Sequence, residues 1–271
     1  METVMIDDVK KVAIRLFTTR VFWAGALTFA FLYAMFQQGR TDNTPANAVV
    51  YNKELPIYCV DSEEKVIALS FDAAWGNDDT KQILEILKKN DIKVTFFMTG
   101  GWVKKFPEDV KAIAEAGHEL GNHSENHKNM SQLSASQCTD ELMTVHNSVK
   151  ELTGIDMKVF RPPYGDYDDE VIKTVYDCGY YPIQWDVDSL DWKNYGVQNI
   201  VDTVVNHKAL GNGSIILMHN GAKYTASALQ DIIDSLKEKG YKFVTMSELI
   251  MKENYYIDHT GRQISEEVTD N

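Results

Sequence analysis

Basic residues are scarce in this 271-residue chain: 27 Lys and Arg stand against 40 Asp and Glu, for a formal net charge of −13. Residues 1–36 hold Lys10, Lys11, Arg15 and Arg20 with Glu2, Asp7 and Asp8, and removing these leaves 23 basic and 37 acidic residues. Neutralising phosphates needs clustered Lys and Arg, so nucleic acid is excluded as a partner. The same balance argues against docking of the acidic part on anionic lipid. Cysteine is equally sparse. Cys59, Cys138 and Cys178 have no CxxC spacing, which argues against a disulfide framework or a thiolate zinc site and reads as three small, partly buried thiols. No internal repeat or low-complexity tract is present, and nothing points to a protein partner. What remains is ordinary globular composition, 44% hydrophobic and 25% charged, which excludes a disordered chain.

One long apolar run stands out. Residues 21–36 (VFWAGALTFAFLYAMF) carry no charge and as a helix would span roughly 24 Å, with Arg20 able to snorkel and Gln37 and Gln38 at the interface. A buried core helix would not be apolar on every face. A cleaved signal peptide needs small residues at the cleavage site, and the first such pattern, Ala46-Asn47-Ala48, lies far downstream. The run therefore reads as an uncleaved transmembrane anchor. Four basic residues precede it and only Arg40 follows closely, so the positive-inside rule predicts a single-pass protein with residues 1–20 cytoplasmic and the remainder extracytoplasmic.

Residues 37–64 are polar, broken by Pro45 and Pro56, and read as a linker with room for one short strand. Over residues 65–252 short apolar runs alternate with amphipathic patterns. Strands are predicted at 66–71, 94–98, 159–161, 181–185, 214–218 and 242–245, with a short extended stretch at 119–120. Helices are predicted at 79–90, 107–116, 134–153, 168–178, 198–209, 225–239 and 246–252. This alternation implies an α/β fold with a mostly parallel sheet, and 188 residues suit a distorted or reduced (β/α) barrel of about seven units better than a full one. Residues 253–271 read as a loosely packed polar tail.

In parallel α/β folds active residues gather at the C-terminal ends of strands. Asp72, Arg161 and His219 hold that position by pattern alone. His123 and His127 are spaced i, i+4, which on a helix would put both imidazoles on one face, suited to one divalent metal. His118, His146, His207 and His259 lack such a partner and read as surface or satisfied polar positions. Asp188-Ser189-Leu190-Asp191-Trp192 adds two carboxylates and an aromatic after another strand. Trp75 and Trp192 are candidate sugar-contacting aromatics as well as candidate core residues.

In chain order these blocks read SFDAAW (70–75), HSENH (123–127), RPPYG (161–165), DSLDW (188–192) and LMH (217–219). The ordered set resembles the polysaccharide deacetylases, carbohydrate esterases with a NodB-homology domain, across residues 65–250. The resemblance implies hydrolysis of N-acetyl groups on a cell-wall glycan, with peptidoglycan as the expected substrate. It implies Asp72 as the general base and His123 and His127 as ligands of a divalent metal, zinc or similar. It further implies that Arg161 orients Asp72, that the Tyr164 backbone N–H donates to the oxyanion, and that Asp191 pairs with the acid His219. Trp192 and Leu217 would line the acetyl pocket, and Trp75 would contact substrate. SFDAAWG and the anchor resemble a sporulation-associated, membrane-anchored subgroup.

The family's first block usually carries a second aspartate as metal ligand; here it is Ala73. Asp72 itself, Asp78 or Asp79, or waters would have to complete the shell. The expectation is two histidines plus water with weakened affinity. The alternatives are a wall-glycan binding protein that has lost turnover, and a deacetylase of another acetylated glycan.

Overall fold

The computed structural model describes residues 53–266. The anchor read at 21–36, the orientation derived from it and most of the linker lie outside the described residues. Among those described, no helix is long and apolar enough to cross a membrane.

The fold is organised around β2 (Val66–Ala73), in which every residue after Val66 is buried. A strand apolar on both faces belongs at the centre of a covered parallel sheet. On one side β2 pairs with β3 (Thr95–Met98), and the ladder continues through β4 (Glu119–Asn122) and β5 (Val159–Phe160) to β6 (Tyr181–Pro182). On the other it pairs with β8 (Ile215–Asn220), which pairs with β7 (Val187–Asp188). A further strand, β9 (Lys242–Val244), joins the start of β2. All these pairings are parallel, in the order β6-β5-β4-β3-β2-β8-β7. The end strands β6 and β7 do not pair with each other, so the sheet is a curled, open barrel, as the reduced (β/α) reading expects.

Helices α1 (Thr80–Lys89), α2 (Gly100–Lys105), α3 (Pro107–Glu115), α4 (Ala135–Thr153), α5 (Asp169–Asp177), α6 (Val197–Val205), α7 (Thr225–Glu238) and α8 (Met246–Leu249) follow the strands. The signals behind α4 are realised: Ser134 and Gln137 form a capping box, and Gly154 ends the helix at φ 76°. The short α2 was not foreseen, because Gly100-Gly101 discourages a helix. It forms because the Thr99 hydroxyl accepts the Trp102 N–H at 3.2 Å and Trp102 buries its indole.

The linker carries the one short strand it has room for, and the stretch read as a loosely packed polar tail carries two. β1 (Cys59–Val60) pairs in parallel with β11 (Arg262–Ser265), which pairs antiparallel with β10 (Tyr255–Ile257). A polar tail can pack because buried Gln263 satisfies both ends of its amide on the Met251 backbone, at 2.7 and 2.9 Å.

Strand alternation divides the apolar residues into two layers. Ile67, Leu69, Phe71 and Ala73 face an outer layer shared with the helices. Ala68, Phe97, Val159 and Ile215 face an inner layer. Following the inner face toward the C-terminal strand ends leads to Asp72, Arg161, Leu217 and His219, and there the interior turns polar.

Candidate active site

Asp72 and His219 are register partners on β2 and β8, so a carboxylate and an imidazole leave adjacent strands at the same level. A cavity of about 380 Å³ opens above them. Asp72, His123, His127, His219 and Leu217 line it, with the aromatic side chains of Trp75, Tyr164 and Trp192. The two remaining sequence-predicted residues, Arg161 and Asp191, are wholly buried behind the wall, each bonded to a lining residue. Trp185, Asp188, Pro162 and Ala74 also line the cavity and were not assigned a place from sequence. Asp188 sits within the DSLDW block and Trp185 just before it, so proximity to that block was the available signal.

Arg161 extends from β5 into the barrel interior. Its Nη1 donates to Asp72 Oδ1 at 2.7 Å and its Nη2 to the Gln184 carbonyl at 3.2 Å. The guanidinium lies 4.2 Å from the centroid of the Phe97 ring. Gly121 on β4 makes this stacking possible, since a Cβ there would meet the Phe97 ring at 2.6 Å. Burial alone would raise the pKa of Asp72. The Arg161 charge first, then the neighbouring His123 and His219 and the Arg161 hydrogen bond, together outweigh it and hold the carboxyl below its ordinary value.

Asp191 is completely bonded. Its Oδ1 accepts from His219 Nδ1 at 2.7 Å, and its Oδ2 accepts the His219 backbone N–H at 2.7 Å and the Thr225 hydroxyl at 2.6 Å. The Nδ1 bond leaves Nε2 as the free edge of the ring. Burial pushes the His219 pKa down, but the Asp191 hydrogen bond and charge overcome this and hold it above the ordinary histidine value.

The histidine pair departs from the helical expectation. His123 follows β4 directly, and Ser124 and His127 adopt left-handed φ of 65° and 54°, so the segment is a loop. The two rings still meet, with centroids 4.9 Å apart and planes at 70°. Two bonds shape the loop: Asn122 Oδ1 accepts the Ser124 N–H at 3.0 Å, and the Ser124 hydroxyl accepts the His127 N–H at 3.0 Å. The left-handed turns, rather than a helical repeat, bring the imidazoles together. Of the other histidines, His118 accepts the Val94 N–H through Nδ1 at 3.3 Å and His146 bonds Tyr180 and Asp156. Both are satisfied structural positions.

The donor set can be tested against a divalent ion. His123 Nδ1 lies 2.7 Å from the Arg161 carbonyl; a carbonyl only accepts, so this nitrogen carries the proton. Burial pushes the His123 pKa down to about 4, leaving Nε2 with a bare lone pair at neutral pH. That lone pair faces Asp72 Oδ2 at 3.5 Å. Two acceptors turned toward one another suit a cation between or beside them, and burial also keeps His127 neutral by lowering its pKa. His123 and His127 therefore fit as ligands. A three-residue protein shell does not form: no group of three His, Cys, Asp or Glu is placed to hold a metal among the described residues. Ala73 is fully buried in the outer apolar layer. Asp78 is exposed, and Asp79 Oδ1 is taken by Asn220 Nδ2 and the Gly221 N–H at 2.6 and 2.8 Å.

The polysaccharide deacetylase family model covers residues 60–183. The peptidoglycan-N-acetylglucosamine deacetylase of Bacillus cereus is 37% identical over 196 residues, which are 70% of this chain and 91% of that protein. The Bacillus subtilis peptidoglycan-N-acetylmuramic acid deacetylase PdaA is 35% identical over 199 residues, 72% of this chain and 75% of that one. Among solved structures, BA3943 of Bacillus anthracis, described as a CE4 family pseudoenzyme, superposes with a TM-score of 0.69 at 39% identity over 72% of this chain and 68% of that one. A mutant of BA3943 with restored enzymatic activity aligns equally well, at 40% identity and a TM-score of 0.69, covering 72% of this chain and 70% of the mutant. By these matches and by the arrangement of its five blocks around one cavity, the chain belongs to the polysaccharide deacetylase family.

Proposed function

We propose that this chain is a metal-assisted N-deacetylase of peptidoglycan, working outside the membrane from a single anchor at residues 21–36. The observation that carries the reading is the intact acid–base pair: Asp72 on Arg161 and His219 on Asp191 face one cavity from adjacent strands.

Asp72, held ionised by Arg161, takes a proton from water as that water attacks the acetyl carbonyl carbon. A divalent ion held by His123 and His127 supplies polarisation of the carbonyl and acidification of the water when bound. The Tyr164 N–H, in the left-handed turn after Pro162-Pro163 (φ 59° at Tyr164), donates to the developing oxyanion. His219 delivers the proton on Nε2 to the amine as the C–N bond breaks, and acetate and a free amino sugar leave. Leu217 and Trp192 enclose the acetyl methyl, with Trp185 completing that wall. Zinc is the expected ion. Two protein ligands predict weaker binding than three.

SFDAAWG and the Bacillus relatives support a role in spore-wall maturation. A second reading, a glycan-binding protein without turnover, is favoured by Ala73 and by the likeness to BA3943. The bonded acid–base set weighs against it, because glycan binding has no use for an imidazole fixed by a buried carboxylate. Acetate release from purified peptidoglycan, followed by mapping of the new free amines, tests the proposal. Release by the native chain and none by Asp72→Asn supports it. Binding without release by the native chain moves the assignment to the second reading, and release only from another glycan changes the substrate.

A further inference from the structure

The imidazole of His219 is fixed along one edge by Asp191, but a single hydrogen bond at Nδ1 leaves the ring free to tilt about that contact. Its face is covered by Trp75. The indole and imidazole centroids are 5.0 Å apart and their planes differ by 15°, a parallel stack at the cavity wall. Trp75 is half exposed and belongs to the loop between β2 and α1, not to the strand that carries His219.

That loop is tied to the one following His219. Asp79 occupies the N-cap position of α1 yet makes no side-chain cap bond to its own helix. Its Oδ1 instead accepts from Asn220 and Gly221. Thr80 closes the tie by donating to Asn220 Oδ1 at 3.1 Å. Gly221, at φ 89°, approaches the Gly76 backbone so closely that a Cβ would lie 2.8 Å from its nitrogen. The Gly76 carbonyl in turn accepts the Trp102 indole N–H at 3.0 Å. The residue after Trp75 and the residues after His219 are thus held against each other by backbone contact and a shared carboxylate.

We propose that Trp75 is a positioning residue for the general acid: stacked on the His219 ring and held by the Asp79–Asn220–Gly221 tie, it keeps Nε2 aimed at the leaving amine. This rests on the deacetylase reading above and adds to it a role distinct from sugar contact. A platform for sugar would act on substrate affinity. A positioning residue acts on the step in which the amine leaves, since misplacement of a reacting group by about 1 Å can cost roughly 100-fold.

The leaving group separates the two. An N-acetylated amino sugar cannot expel its nitrogen without a proton, whereas 4-nitrophenyl acetate releases a phenolate that needs none. Both substrates are assayed with the native chain, Trp75→Leu and Trp75→Phe. The expected result is a fall in kcat on N-acetylglucosamine oligomers on the order of 30-fold for Trp75→Leu, with KM within about twofold. The loss on the aryl ester should be at least about tenfold smaller, and Trp75→Phe should recover most of the amide activity. Nuclear magnetic resonance supplies a readout independent of turnover: the His219 ring protons should show an upfield ring-current shift that Trp75→Leu removes. Equal losses on both substrates, a change confined to KM, or an absent ring-current shift overturns the proposal while leaving the deacetylase reading in place. A native chain that cleaves the ester but no glycan contradicts both.

Discussion

The two sides of the cavity are built to different degrees of completeness. On the His219 side every hydrogen-bonding atom of Asp191 is engaged, by the His219 ring, the His219 backbone and Thr225, and the imidazole is stacked as well as bonded. On the His123 side a bare imidazole nitrogen faces a carboxylate oxygen at 3.5 Å, and the position from which the family draws its anionic ligand is an alanine buried in the outer apolar layer. On the proton-delivering half both carboxylate oxygens of Asp191 are satisfied within the protein. On the His123 side two acceptors are turned toward one another, an arrangement that suits a cation. Ala73 leaves the bonds of the acid–base pair in place, which supports the proposed enzyme over a protein without turnover.

Substitutions can break or sharpen that contrast. The largest effect is expected on the His219 side. Asp191→Asn removes the charge that raises the His219 pKa and disturbs the tautomer with Nδ1–H, so kcat should fall roughly 10³-fold or more, and added zinc should not restore it. Rescue by zinc would show that the two sides are not separable. On the His123 side, His127→Ala should lower activity roughly 100-fold at limiting zinc, with a substantial part returning as zinc is raised. A loss that zinc leaves untouched would remove the ion from the account.

A pH profile sharpens the same contrast. The raised pKa of His219 means that the acid is present at low pH and lost as pH rises through that value. The alkaline limb of kcat should therefore lie above the ordinary histidine range in the native chain and move to lower pH in Asp191→Asn. The pair's contribution to folding has the same sign: it is full below the ordinary histidine pKa and disappears as pH rises past the raised one.

The smallest effect is a control on a carboxylate that does not itself line the cavity. Burial raises the pKa of Asp186 to about 6, against bonds from Ile215 and Ser214 that lower it. The ionised carboxylate is disfavoured in the fold, so native stability should fall as pH rises from about 4 to about 6. Asp186→Asn should stabilise the chain by about 1 kcal/mol at pH 8 and not at all at pH 4 in thermal melts. Acetate release should be unaffected.

Much of this site was legible before the fold was known. Asp72, Arg161 and His219 end strands that short apolar runs mark, and Leu217 follows from the family resemblance; β2 and β8 are buried on both faces, so their pattern does not record which face each residue takes. The histidine loop was not legible in the same way. The i, i+4 spacing of His123 and His127 suggests a helix, but the pair is brought together by left-handed backbone at Ser124 and His127, which no periodicity records. Trp185 and Asp188 escaped for a related reason: residues 181–185 read as one strand, whereas the chain bends after Pro182, with Gln184 bonding back to Ile57, before β7 begins. The small sheet joining Cys59 to Arg262 depends on pairing between distant ends of the chain, and local pattern carries no trace of such a partner. The stack of Trp75 on His219 likewise arises from two loops meeting through Asp79 and Gly221.

The account is tested most directly by titrating zinc into metal-stripped protein while measuring acetate release from peptidoglycan. A complete acid–base half joined to a two-histidine ion site predicts release that is lost on chelation and returns as zinc is restored. Release that persists unchanged through chelation, or its absence at saturating zinc, would contradict it.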